Sequence, residues 1–190
     1  MYNVVAIMGK AGSGKDSLMK AVLHHDTLNN LNEIVSYTTR PMREGEKEGI
    51  NYHYVSDEEF LQLILEDKML EATIFNSWCY GTALNSLNQN KINIGVFNPA
   101  GVESLMKDPR INLKIFYIEA SDKERLIRQL TREQNPDIEE ILRRYKADNL
   151  DFSDLSSINY TTVNNETKDN FSLAVYGMLK QIQDWANGFN

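Results

Sequence analysis

Along the chain, short unbroken apolar runs alternate with longer stretches in which apolar residues recur every three or four positions. Residues 4–8 form one such run and stop at Gly9, the pattern of a strand buried on both faces of a parallel sheet. Directly after it, residues 15–23 bring Leu18, Met19 and Val22 onto one face of a helix. Runs at 33–36, 91–97, 113–118 and 158–163 predict further strands, and helical spacing appears at 56–66, 121–130, 138–150 and 171–185. Two of those helices open with capping boxes, Ser56 with Glu59 and Ser121 with Glu124. Strands alternating with helices predict an α/β domain: a central parallel sheet of about five strands flanked by helices on both faces, in three layers.

One stretch breaks the alternation. Residues 37–87 are rich in Arg, Glu, Gly, Tyr and Thr, with short extended pieces at 52–55 and 72–75, and read as an insertion between core strands. The whole chain of 190 residues fits a single domain, and 42% hydrophobic content is that of a globular protein. A net charge of −7 without a basic run argues against nucleic acid or a membrane surface as partner. Cys79 is the only cysteine, so an intrachain disulfide is excluded, and the N-terminus lacks a basic stretch before its short apolar run. The expectation is a cytoplasmic protein, monomer or homodimer.

Gly9-Lys10-Ala11-Gly12-Ser13-Gly14-Lys15 has the G-x-x-x-x-G-K spacing of a phosphate loop, between a predicted strand and a predicted helix. Glycines let backbone N–H groups turn in around phosphate oxygens, and the helix that follows adds its positive end. This predicts a P-loop NTPase-type fold that binds ATP, with Lys15 reaching the β- and γ-phosphates. The motif's usual Ser or Thr after the lysine is Asp16 here, with Ser17 next. Ser17 could take the Mg2+ role one place late, or Asp16 could hold the ion directly or through water. A carboxylate so close to a triphosphate predicts strict Mg2+ dependence.

Ser36-Tyr37-Thr38-Thr39-Arg40-Pro41-Met42-Arg43-Glu44-Gly45-Glu46, continued by Gly49-Ile50-Asn51-Tyr52-His53-Tyr54, spaces Arg40 and Arg43 as an anion site. Glu71 and Tyr80-Gly81-Thr82 follow. In this combined pattern the chain resembles the guanylate kinase family over essentially its whole length. The resemblance implies a core of 1–36, 88–124 and 147–190, a monophosphate-binding insertion at 37–87 and a helical lid at 125–146. It implies that Arg40, Arg43, Tyr52 and Tyr80 hold the acceptor's phosphate, and that Ser36, Glu71 and Thr82 face its base. An ionised Glu71 can accept from guanine N1–H and from the exocyclic amine; adenine has no N1–H and would leave a buried carboxylate unpaired. The implied reaction is transfer of the γ-phosphoryl group of ATP to GMP or dGMP. Arg128, Arg132 and Arg144 match the lid positions and join Lys15 and Arg40 as the expected catalytic set. Arg125 and Arg143 read as ordinary helix-surface charges.

The chain departs from the family pattern at residues 96–98. The family's D-x-D pair is replaced by Val96 and Asn98, so one acidic contribution to the metal site is missing, for which Asp16 would compensate. Asn98 can still contact base or ribose. The loss keeps two rivals in view: a kinase for a deoxynucleotide of another base, and a non-catalytic interaction module. Three scattered histidines and one thiol make no zinc pattern, His24 and His25 read as helix-end cations, and Trp185 reads as core.

Overall fold

The run read from residues 4–8 is the middle strand of the molecule, β1 (Tyr2–Met8), in which Val4, Val5, Ala6, Ile7 and Met8 are fully buried. In this computed structural model, which describes residues 1–75, 77–132 and 134–188, the strand separates two cores. Val5 and Ile7 pack with Leu18, Val22, Met178 and Ile182, while Val4, Ala6 and Met8 pack with Ile34, Phe97, Val102 and Leu105. Alternate side chains of a strand point to opposite faces, so burial on both faces demands an unbroken apolar run.

After the glycine loop come α1 (Lys15–His24) and β2 (Leu31–Glu33). The chain then leaves the sheet to build β3 (Tyr37–Thr38), β4 (His53–Tyr54), α2 (Asp57–Leu65), β5 (Met69–Phe75) and β6 (Trp78–Ala83). It returns as β7 (Ile92–Val96), α3 (Pro99–Lys107) and β8 (Ile111–Glu119). It ends with α4 (Asp122–Thr131), α5 (Ile138–Asp151), β9 (Thr161–Asn164) and α6 (Lys168–Asn187). The main sheet has five strands in the order β2-β7-β1-β8-β9, every neighbouring pair parallel. Helices α1 and α6 cover one face through Leu18, Val22, Val175 and Met178; α3 covers the other through Val102 and Leu105. This is the three-layer arrangement expected. No described helix is long and apolar enough to cross a membrane.

The stretch that broke the pattern folds as a second, four-stranded sheet in the order β4-β3-β6-β5, with α2 against it. Ser56 caps α2 in a complete capping box, as its sequence predicts. At Ser121 only half of the predicted box forms. Its hydroxyl accepts from Glu124 N–H, but the Glu124 carboxylate turns to Arg128 and Glu166 takes the Ser121 N–H. Strand β6 and helix α3 were not anticipated. The strand predicted at 158–163 begins only at Thr161, because Ile158 is used as a core residue below it.

At the strand starts the sheet is polar in its interior. Asn93 is fully buried; its amide donates to the Asn3 and Asn88 carbonyls, and its carbonyl oxygen accepts from Asn32. Asn112 in turn donates to the Asn3 side chain at 2.8 Å. A row of amides thus crosses β2, β7, β1 and β8 at the edge opposite the glycine loop.

Candidate active site

Parallel strands point their carboxyl ends the same way, and ligands of such sheets bind in the crevice beyond those ends. Here β1 delivers Gly9–Lys15 and β7 delivers Val96 and Asn98 to that edge. Gly12 and Gly14 adopt φ of 79° and 87°, where a side chain would be strained. They are also closely overlaid: a Cβ on Gly12 would lie 2.5 Å from the Arg125 carbonyl, and one on Gly14 would lie 2.4 Å from the Asn165 amide.

The loop is gripped by its carbonyls. Arg125 donates to Ala11 O at 3.0 Å, Arg128 to Ser13 O at 3.2 Å, and buried Asn165 to Ser13 O at 2.7 Å. A trans peptide points its N–H opposite to its C=O, so the N–H groups of Gly12 and Gly14 face the other way. Helix α1 begins at Lys15 without a side-chain cap on its first turn, leaving that positive end available to an anion. Ser13 Oγ is fully buried and is the one buried side-chain polar atom without a partner among the described residues. The Lys15 ammonium lies 3.6 Å from the Asp16 carboxylate, which is 70% exposed.

The opposite wall comes from the second sheet. Arg40 is 6% exposed and forms a two-pronged pair with Glu46, at 3.0 and 2.9 Å. Tyr54 donates to the same carboxylate at 2.8 Å, and the Arg40 guanidinium lies over the Tyr52 and Tyr54 rings. The hydrogen bond from Arg40 holds the Glu46 carboxyl far down, at about 2. The Tyr80 phenol also bonds Arg40, and burial raises the Tyr52 phenol, with Tyr80 and Asp16 adding to the effect. Asp16 is therefore within electrostatic reach of Tyr52, across the cleft.

Deeper on that wall, Glu71 pairs in register with Thr82 across β5 and β6, and the Ser36 and Thr82 hydroxyls lie 3.3 Å apart. Burial raises the Glu71 carboxyl, while bonds from the Thr82 hydroxyl and backbone pull it partly back. Asn98 caps α3, its Oδ1 accepting from Gly101 N–H at 2.7 Å. A Cβ on Gly101 would lie at ordinary contact distance, 3.4 Å, from Glu71 Oε2, which places the carboxylate beside the start of α3.

Gly9, Ala11, Lys15, Ser36, Tyr52, Glu71, Tyr80, Val96, Asn98 and Arg144 all line one cleft of about 400 Å3. Arg40 and Thr82 lie buried in the wall built by the second sheet. Arg43 and Arg132 are exposed and outside the lining, and Ser17 is exposed on α1. Arg128, expected over the nucleotide, is instead committed to loop carbonyls, to the Asn165 and Glu166 carbonyls and to Glu124.

Arg125 corrects the sequence reading outright. It is not a surface charge: it is 1% exposed, donating to Ala11 O, Asp122 and Asp148. Its spacing from Asp122 resembles an ordinary surface pair, and its deciding partners lie far away in sequence. Arg143, by contrast, pairs with Glu140 at 2.6 Å on a part-exposed helix face, as expected. Glu46, Tyr54, Asp148 and Asn165 were not singled out from sequence. Glu46 could have been, since it stands inside the arginine-rich pattern.

A family model described as guanylate kinase matches residues 1–181. The chain belongs to the guanylate kinase family. Its relatives include guanylate kinases of Campylobacter jejuni, 31% identical over 88% of this chain and 83% of that protein, and of Helicobacter hepaticus, 31% identical over 95% and 92%. The crystal structure of guanylate kinase from Anaplasma phagocytophilum superposes with a TM-score of 0.67 over 96% of this chain and 85% of that one. At 22% identity that likeness speaks for the fold. Membership in the family makes the chain a phosphotransferase.

Proposed function

We propose that the protein transfers the γ-phosphoryl group of ATP to GMP or dGMP. The observation that carries this reading is one cleft shared by Lys15 of the phosphate loop and by Glu71, with the Thr82 hydroxyl in register beside it. The ionised Glu71 accepts from guanine N1–H and its amine, and the Ser36–Thr82 hydroxyl pair offers a donor for O6. Thymine and the adenine ring lack that combination of donors, so a buried carboxylate would be left unsatisfied by them.

In the reaction an oxygen of the acceptor's phosphate attacks the γ-phosphorus. The bond from that phosphorus to the β–γ bridging oxygen breaks, and its electron pair leaves with ADP. No protein nucleophile is needed, so the residues act by position and charge. Arg40, oriented by Glu46, works with Tyr52 and Tyr80 on the acceptor's phosphate, and Arg43 adds charge from the exposed rim. Lys15 and the inward N–H groups of the loop hold the triphosphate, with Arg144 over the transferring group and Arg132 beyond it. Arg128 acts through the loop that it braces.

Among the described residues no group of three or more His, Cys, Asp or Glu could hold a metal, which fits an ion carried in on phosphate oxygens with most of its water. We assign Mg2+ to Asp16, whose exposed carboxylate sits beside Lys15; Ser17 is turned about 200° from Lys15 around the helix. When bound, the ion neutralises charge on the phosphate oxygens. Val96 lines the cleft and offers it nothing. Residues 37–87 we read as the monophosphate-binding segment. The lid, expected at 125–146, we read as 130–147, since Arg125, Arg128 and Gln129 before it and Asp148 and Asn149 after it are bonded to the loop.

The test follows ADP formation with ATP, Mg2+ and each common ribo- and deoxyribonucleoside monophosphate. Turnover with GMP or dGMP alone is expected. Turnover with another base would overturn the role of Glu71, and tight GMP binding without turnover would favour the interaction module.

A further inference from the structure

Ala11 is held at both of its backbone groups. Its N–H donates to Asp148 Oδ2 at 2.7 Å, and its C=O accepts from Arg125 Nε at 3.0 Å. The same Asp148 oxygen accepts from Arg125 Nη2 at 2.9 Å. Arg125 Nη1 reaches Asp122, whose other oxygen accepts from Tyr145, and the Tyr145 ring lies against the guanidinium at 5.3 Å. Lys10, on the other side of Ala11, bonds Asn149 at 3.2 Å. Residues of the phosphate loop are thus tied to α5 some 137 positions along the chain.

A loop amide spent on a protein carboxylate is unavailable to a phosphate, so Asp148 does not imitate the rest of the loop's chemistry. What it does is fix a peptide plane. The Arg125 cation neutralises the carboxylate, which lines the same cleft as Lys15 and would otherwise oppose the triphosphate. Asp148 also stands four residues after Arg144, on the same helical face, and Arg144 lines that cleft too. Asp148 is therefore one anchor of the rotation of α5 about its axis, beside Tyr145 and Asn149, and so bears on where Arg144, whose Nε pairs with Glu140 at 2.7 Å, is presented.

We propose that Asp148 is a positioning residue of phosphoryl transfer: through Ala11 it sets the rim of the phosphate loop, and through α5 it aims Arg144 at the cleft. The proposal rests on the ATP and GMP assignment above. Turnover by the unaltered protein tests that assignment, while the variants alone test Asp148.

The experiment measures kcat and KM for ATP and for GMP, with GMP binding by calorimetry, in Asp148→Ala, Asp148→Asn, Arg144→Ala and the Asp148→Ala/Arg144→Ala double variant. Asp148→Ala is expected to lower kcat/KM for ATP by about thirtyfold, within the range that sub-ångström misplacement produces, while GMP affinity stays within about twofold. Asp148→Asn keeps an oxygen that accepts from Ala11 N–H and is expected to recover most of the loss. The double variant is expected to lose little more than the worse single variant, because Arg144 would already be misaimed. Unchanged ATP kinetics in Asp148→Ala would overturn the proposal, as would equal loss of ATP and GMP binding. Fully additive effects with Arg144→Ala, or an Asn variant as poor as the Ala variant, would overturn it too.

Discussion

Arg125, Arg128 and Asn165 hold the phosphate loop by its carbonyl oxygens, whereas Glu46 holds Arg40 and Tyr54 by their functional groups. The donor wall is therefore braced through backbone and the acceptor wall through side chains. Backbone bracing with several donors is redundant and indifferent to the loop's own side chains, provided the glycines remain. That is how Asp16 can occupy a place usually held by a hydroxyl without disturbing the loop. Side-chain bracing concentrates dependence: one carboxylate orients the guanidinium and the phenol together. The two walls should respond differently to substitution.

The largest break is expected on the donor wall, but in its charge and not its bracing. Lys15→Ala should lower kcat by about a thousandfold or more, the loss of a principal charge on the transferring group. GMP affinity should be nearly unchanged; a loss confined to GMP binding would contradict the assignment. Next, Glu46→Ala should lower kcat/KM for GMP by about a hundredfold with KM for ATP within about twofold, since Arg40 loses its orientation. Equal effects on both substrates would erase the distinction between the walls. Asp16→Ala should raise the Mg2+ concentration for half-maximal rate by about tenfold, the scale expected for a metal-associated carboxylate. An unchanged Mg2+ requirement would return the ion to Ser17.

A smaller effect sharpens the acceptor wall by pH. Burial raises the Glu71 carboxyl, so its protonated form persists to higher pH than in an ordinary glutamate. Guanine needs the ionised form. KM for GMP should accordingly rise as pH falls, beginning above the ordinary carboxylate range near 4.5, while KM for ATP does not follow. The sign for stability is the opposite: the free protein binds the extra proton when folded, so this group's contribution to the fold is fully present below the ordinary value of 4.5 and is lost as pH rises through the raised folded value. Glu71→Gln should flatten the GMP limb, and a limb that survives would assign it elsewhere. The smallest change is expected for Arg143→Ala, where a part-exposed pair with Glu140 contributes at most about 1 kcal/mol to melting stability.

Legibility followed the same division. The loop was readable because its glycines sit at fixed spacing between strand and helix, and backbone geometry leaves that signature in sequence. The inner strands β1, β7 and β8 were readable from their apolar runs, whereas the edge strands were misplaced: the run at 33–36 meets β2 only at Glu33 and the run at 158–163 overlaps β9 only from Thr161, neither edge strand being apolar throughout. Strand β6 was hidden because Trp78–Ala83 mixes exposed, half-buried and buried positions, and α3 because Pro99 and Gly101 mask its start. The acceptor residues emerged only through a long resemblance, each being a surface-type residue by itself. Arg125 and Asp148 stayed invisible for a simpler reason. Each has a plausible neighbour in sequence, and only the fold brings Ala11, Arg125 and Asp148 together.

The row of amides at the far edge of the main sheet bears on how this arrangement is selected at all. Continuous valines and isoleucines would pack almost as well if β7 slid by two residues along β1, because both faces of each strand are greasy. Asn93 removes that freedom. Its bonds to the Asn3 carbonyl and from the Asn32 amide form in only one alignment, and a slip would break both inside the buried sheet, leaving only the local bonds with the Asn88 backbone. The amides thus act as an indexing pin, penalising wrong alignments more than they reward the right one. Their action is felt at the opposite end, where the glycine loop following Met8 and the Asn98 cap of α3 must arrive at the same level.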